Sequence, residues 1–117
     1  MRGMALRAET VTIDCADPRA LAEFWRQALD VEVDADFGEY IRLKASGGTR
    51  VALQQVPEPR VGKNRVHLDL EADDRAAEVA RLVALGATVV TDHAVPGWSW
   101  TIMADPEGTV FCVGAGE

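Results

Sequence analysis

The chain has 117 residues, 48% of them apolar and 26% charged, with a formal net charge of −7. This balance describes one folded domain and excludes intrinsic disorder, while the acidic surplus argues against a nucleic-acid partner, which needs a basic patch. There is no run of about 18 apolar residues, so no membrane span is expected. The start, Met1-Arg2-Gly3-Met4-Ala5-Leu6-Arg7, lacks the apolar core of a signal peptide, and Cys15 and Cys112 are expected to be reduced thiols in a cytoplasmic protein.

Residues 1–8 show no periodicity and read as a tail. Thr10-Val11-Thr12-Ile13-Asp14 alternates polar and apolar residues, the pattern of a half-buried strand. Asp17-Pro18 then supplies a helix N-cap and a first-turn proline. Leu21, Phe24, Trp25, Ala28 and Leu29 fall on one helix face. Val31–Val33, Glu39–Leu43 and Arg50–Val56 read as strands, divided by Phe37-Gly38 and Ser46-Gly47-Gly48. The segment 57–64 is a proline-rich linker, and its Glu58, Arg60 and Lys63 read as solvated surface.

The order then recurs. Arg65–Glu71 alternates, Asp73 or Asp74 caps a helix with the stripe Ala76, Val79, Leu82 and Val83, and Gly86 ends it. Ala87–Val90, Trp98–Met103 and Thr109–Val113 are expected strands, with turns at Pro96-Gly97 and Asp105-Pro106-Glu107-Gly108. Thr10/His67, Val11/Leu68, Ile13/Leu70 and Asp17/Asp74 share an offset of 57, as do Val56/Val113. This is a repeat of pattern with little identity. Neither half is large enough to bury a good core alone, so a single domain over 9–117 is expected, with modules at about 9–56 and 65–114.

This order resembles the vicinal oxygen chelate superfamily of glyoxalases, bleomycin resistance proteins and dioxygenases, and most of all its glyoxalase-like domain proteins. The resemblance rests on Val11–Pro18 leading into Phe24-Trp25, on Val66–Leu70, on Leu85-Gly86-Ala87, and on Asp105-Pro106-Glu107-Gly108, which looks like the family's "DPxG" hairpin. It implies an α+β fold: two βαβββ modules whose curved mixed sheets surround a central cavity, with the helices outside. It also implies a small-molecule ligand and a homodimer.

Family enzymes hold a divalent metal with His, Glu or Gln from the first and last strands of each module. Carried over, those positions fall on Thr10, Gln55 (Gln54 with a one-residue slip), His67 and Cys112. Only His67 is a familiar ligand there, so no metal cofactor is expected; an atypical site would use His67, Gln55 and Cys112.

Alternation sends Thr10, Thr12, Asp14, His67, Asp69 and Glu71 to the face away from the helices. That face is either a wet cavity wall or plain solvated sheet; the resemblance favours the cavity. Trp98 and Trp100 share a face and can line a pocket, with core packing or a dimer contact as the competing reading. His67 and Asp69 can act as base and orienting carboxylate, although a lone strand histidine is more often structural. The expected ligand-contacting set is Thr10, Thr12, Asp14, Gln54, Gln55, His67, Trp98, Trp100 and Cys112. The expected function is binding of a cationic or aromatic small molecule; the alternative is a lyase, isomerase or dioxygenase using an atypical metal site or His67 as acid/base.

Overall fold

In a computed structural model, described over residues 6–116, the chain forms two compact units, Met1–Pro57 and Glu58–Glu117. Their boundary falls in the expected linker. Of the expected tail, residues 1–5 lie outside the described residues, and 6–9 form neither helix nor strand.

The first unit contains β1 (Thr10–Cys15), α1 (Pro18–Leu29), β2 (Val33–Asp36), β3 (Tyr40–Leu43) and β4 (Arg50–Gln55). Its sheet runs β1-β4-β3-β2, with β1 parallel to β4 and the other pairs antiparallel. Asp17 caps α1 by accepting the Ala20 N–H at 3.1 Å, and Pro18 needs no partner at the first helical position. Leu21, Phe24, Trp25 and Ala28 are buried, and α1 packs on β3 and β4, whose Ile41, Leu43, Val51 and Leu53 are buried too. Phe24 and Trp25 meet edge to face at 5.2 Å. A buried leucine of this kind contributes about 2–5 kcal/mol relative to alanine.

One strand starts later than its sequence pattern. The Val31 N–H bonds the Arg26 carbonyl at 3.0 Å, and Asp30 takes a left-handed conformation (φ 54°) to close the helix. Val31, expected to open β2, is therefore taken up by the helix cap, and β2 begins at Val33. Asp tolerates that conformation better than most residues, because its short polar side chain can bond locally.

The second unit contains β5 (Asp69–Glu71), α2 (Arg75–Leu85), β6 (Thr88–Val95), β7 (Trp98–Ala104) and β8 (Val110–Gly116), in the order β5-β8-β7-β6 with β5 parallel to β8. Asp74 caps α2 by accepting from Ala77, and Gly86 (φ 120°) ends it. The helix stripe is narrower than its apolar residues suggest: Leu82 is buried, but Val83 is 46% exposed. β6 runs five residues past its apolar run, to Val95, because the tight Pro96-Gly97 turn lets it pair with the whole of β7. β5 is shorter than expected, with strand pairing beginning at Asp69.

The Asp105–Gly108 turn explains its own sequence. Asp105 is buried, and its Oδ1 accepts the N–H groups of Glu107 at 2.9 Å and Thr109 at 3.0 Å. The Gly108 N–H closes the turn on the Asp105 carbonyl at 2.8 Å, with Gly108 at φ 92°. An apolar or β-branched residue at either position would lose these bonds or strain the backbone.

Candidate functional site

Pairing sets the two faces of the second sheet. Asp69 lies opposite Cys112, Cys112 opposite Ile102, and Gly114 opposite Trp100. The alternate residues Thr101, Met103, Phe111 and Val113 are buried on the other face, where Arg75 of α2 donates to Thr101 Oγ1 at 2.6 Å. Thr101 passes a hydrogen bond to Asp92 Oδ1 at 2.6 Å, and Arg75 approaches the same carboxylate at 3.4 Å. This network ties α2 to β6 and β7 directly behind Trp100.

On the front face is a cavity of about 470 Å³, and all of its lining belongs to the second unit. His67, Asp69 and Cys112 form one end; Trp98, Trp100 and Ile102 form an apolar wall. Trp100 stacks on His93 of β6, centroids 5.1 Å apart and planes 21° from parallel. Trp98 lies across β8 at Gly114, where a β-carbon would sit 2.5 Å from the indole Cζ2.

The polar end is a connected group. His67 Nε2 and Asp69 Oδ1 are 3.1 Å apart. Burial pushes the Cys112 thiol up in pKa; the Asp69 charge and a hydrogen bond to Asp69 push the same way, and only the Lys63 ammonium opposes them. The thiol is therefore protonated at neutral pH and directed toward the carboxylate. Asn64, read in the sequence as linker, holds this end together. Its side chain accepts the Val110 N–H at 2.9 Å and donates to the carbonyls of Val66 at 2.7 Å and Val110 at 3.2 Å. It thereby ties the residue before His67 to β8, and the Leu68 carbonyl, accepting the Cys112 N–H at 2.9 Å, ties the residue after it.

Of the residues expected from sequence, His67, Asp69, Cys112, Trp98 and Trp100 are brought together in this cavity. Lys63, Ile102, Val110 and Gly114 join them; for Ile102, Val110 and Gly114, alternation along β7 and β8 was the available signal. Thr10, Thr12 and Asp14 lie in the first unit, where β1 pairs them with Arg50, Ala52 and Gln54. Gln55 follows on the opposite side of β4 and donates to the Ala16 carbonyl at 3.3 Å.

The internal repeat does not keep one offset. Thr12 pairs with Ala52 as Asp69 pairs with Cys112, so an offset of 57 on the first strand becomes 60 on the last. By position, Cys112 matches Ala52 and not Gln55. The first unit thus has Thr10, Thr12 and Ala52 where the second has His67, Asp69 and Cys112.

Among the described residues, one group of three metal-type donors occurs: the ligand atoms of His67, Asp69 and Cys112 lie within 4.8 Å of one another. A nitrogen, an oxygen and a sulfur donor do not fit a hard oxygen-seeking ion such as magnesium, which is held by oxygen ligands. They fit the borderline, thiophilic class.

Similar solved structures share this architecture. One is a glyoxalase/bleomycin resistance protein/dioxygenase family enzyme from Burkholderia phytofirmans, 19% identical with a TM-score of 0.78, covering 93% of this chain and 98% of that one. A lactoylglutathione lyase from Agrobacterium tumefaciens is 22% identical with a TM-score of 0.71, covering 94% and 93%. A mutant fosfomycin resistance protein from Listeria monocytogenes, in complex with manganese(II) and a dihydroxypropylphosphonic acid, is 12% identical with a TM-score of 0.79, covering 98% and 93%. At these identities the likeness establishes the fold, that of the vicinal oxygen chelate superfamily. The chain itself belongs to the glyoxalase-like domain family, whose profile matches residues 10–114. Among curated proteins, none matches this sequence.

Proposed function

We propose that the protein binds a small organic molecule bearing a flat, cationic aromatic group in the cavity of the second unit, without needing a metal. The carrying observation is the pair of indoles on one face of β7, one stacked on His93 and the other seated over Gly114, beside the carboxylate of Asp69. Indole faces attract cations, and a nearby carboxylate adds to that attraction. The net charge of −7 favours the same sign of ligand. As in the family generally, we expect the protein to act in the cytoplasm as a homodimer.

The test is quenching of intrinsic tryptophan fluorescence by a panel of planar aromatic cations, with neutral aromatics and aliphatic cations as controls. Selective saturation by the aromatic cations, lost in Trp98→Ala and Trp100→Ala, is expected. Equal response to all three classes, or none at millimolar concentration, would sink the reading.

A second reading is catalysis, as a lyase, isomerase or dioxygenase. The His67–Asp69 contact of 3.1 Å favours it, since a carboxylate can orient an imidazole acting as acid or base. It is tested by turnover on α-hydroxythioester or oxoaldehyde–thiol substrates: activity abolished by His67→Ala would support it, and absence of turnover would remove it.

A further inference from the structure

We infer that His93 decides whether the cavity accepts a cation: neutral, it braces Trp100 for an aromatic cation, and protonated, it turns such a ligand away. The inference rests on the aromatic-cation reading above and names the group that regulates that site. Strand register places the residues. Glu71, Gly114, Trp100 and His93 are successive partners in one row across the front face, from β5 to β6. The Trp100 indole lines the cavity and His93 does not, so the imidazole, stacked on it with centroids 5.1 Å apart, meets a ligand through that ring. β6 is the edge of the sheet and is exposed along its whole length. Among the described residues, no hydrogen bond or ion pair of the His93 side chain accompanies the stack, so its charge state acts first on Trp100.

An indole attracts positive charge to both of its faces. A neutral imidazole occupies one face of Trp100 and leaves the other to receive a cation. An imidazolium in the same stack puts a full positive charge behind the ring and repels the incoming ligand. A ligand in contact with the cavity side of the ring would lie roughly 9 Å from the imidazole, where like charges in a partly screened site weaken binding about tenfold. Imidazole is the side chain whose charge changes near neutral pH. The surroundings leave this effect to His93. On its own face of β6 and β7 the neighbours are Thr91, Val95, Trp98 and Ile102, all uncharged. Asp92 belongs to the opposite face, where Thr101 and Arg75 of α2 engage its carboxylate. β8 contributes Cys112, and beyond it, at the far end, stand His67, Asp69, Glu71 and Lys63. His67 is the only other histidine in the chain, so single replacements divide any dependence on pH near neutrality between the pair.

The experiment is isothermal titration calorimetry of the full chain with N-methylquinolinium, a planar cation whose charge does not depend on pH, at pH 8 and at pH 5.5. The wild-type protein should bind it about tenfold more weakly at the lower pH, whereas neutral naphthamide should bind equally at both. His93→Gln keeps a flat polar side chain without the charge. At pH 5.5 it should bind the cation about tenfold more tightly than the wild type does, a gain that a purely structural histidine would not give. His93→Lys is charged at both pH values and should bind weakly at both. The position is exposed on an edge strand, so both variants should fold. His67→Gln should retain the His93 share of the pH effect. By linkage, loading the wild-type cavity with the cation at pH 6 should release protons into dilute buffer, and His93→Gln should release fewer. No binding of the cation at either pH removes the aromatic-cation reading and this inference with it. Binding whose loss at acid pH persists in full in His93→Gln, or His93→Lys binding at pH 8 as tightly as the wild type, overturns the inference alone.

Discussion

Trp98 rests on Gly114 so closely that no side chain fits between them: a β-carbon at position 114 would lie 2.5 Å from the indole Cζ2 and 2.9 Å from Cε2. Both contacts are far inside normal separation, so Gly114→Ala must displace the ring. The expected result is a shifted tryptophan emission and about tenfold weaker quenching by planar aromatic cations, the loss of about 1.4 kcal/mol of aromatic contact. Overpacking also lowers stability by about 1–3 kcal/mol in urea unfolding. Unchanged emission and binding would show that the indole is not seated there.

The Cys112 thiol is held above its ordinary pKa first by burial and then by Asp69. Only the thiolate alkylates readily. Iodoacetamide should therefore modify Cys112 more slowly at pH 8 than it modifies an unstructured cysteine peptide, measured by mass spectrometry of the Cys112 peptide. Asp69→Asn removes a negative charge beside the sulfur, lowers the thiol pKa and should speed the reaction. A slower reaction in that variant would contradict the assigned electrostatics.

Much of this was legible in the residues because the signals are local. Asp17-Pro18 and Asp74 announce the helices, alternation places His67 and Asp69 on one face, and Asp105 with Gly108 dictates a turn. What was not legible depends on groups distant in sequence. Asn64 serves β8 through Val110, 46 residues away, and nothing in the linker composition distinguishes it. The shift from Gln55 to Ala52 as the positional match of Cys112 depends on strand register, which the offset alone cannot fix because units differ in loop length. The Arg75–Thr101–Asp92 network joins three elements and has no sequence signature.

Asp105 carries two backbone N–H bonds from a buried position. Asp105→Ala leaves the donors of Glu107 and Thr109 without this acceptor and should destabilise the protein by about 1–3 kcal/mol, seen as a lower urea midpoint with unchanged slope. Asp105→Asn keeps a carbonyl oxygen as acceptor and should cost less. An equal loss in both variants would mean that charge, and not acceptance of these N–H groups, is what the turn requires.

Asp36 offers a test of pH dependence outside the cavity. Its carboxylate accepts the Gly38 N–H at 2.9 Å and pairs with Arg19 at 2.8 Å. Its pKa is lowered, chiefly by the Gly38 hydrogen bond and next by Arg19. A carboxyl whose folded pKa is depressed adds stability that is present above its unfolded pKa and is lost as pH falls through the folded one. The group lies at the surface, so the gain is small and screened by salt. Carbon-13 NMR should show Asp36 titrating below the ordinary aspartate range. Arg19→Ala should raise the midpoint only part of the way back, because the Gly38 N–H remains in place. A return to the full ordinary value would assign the shift to the ion pair and leave the backbone bond without effect.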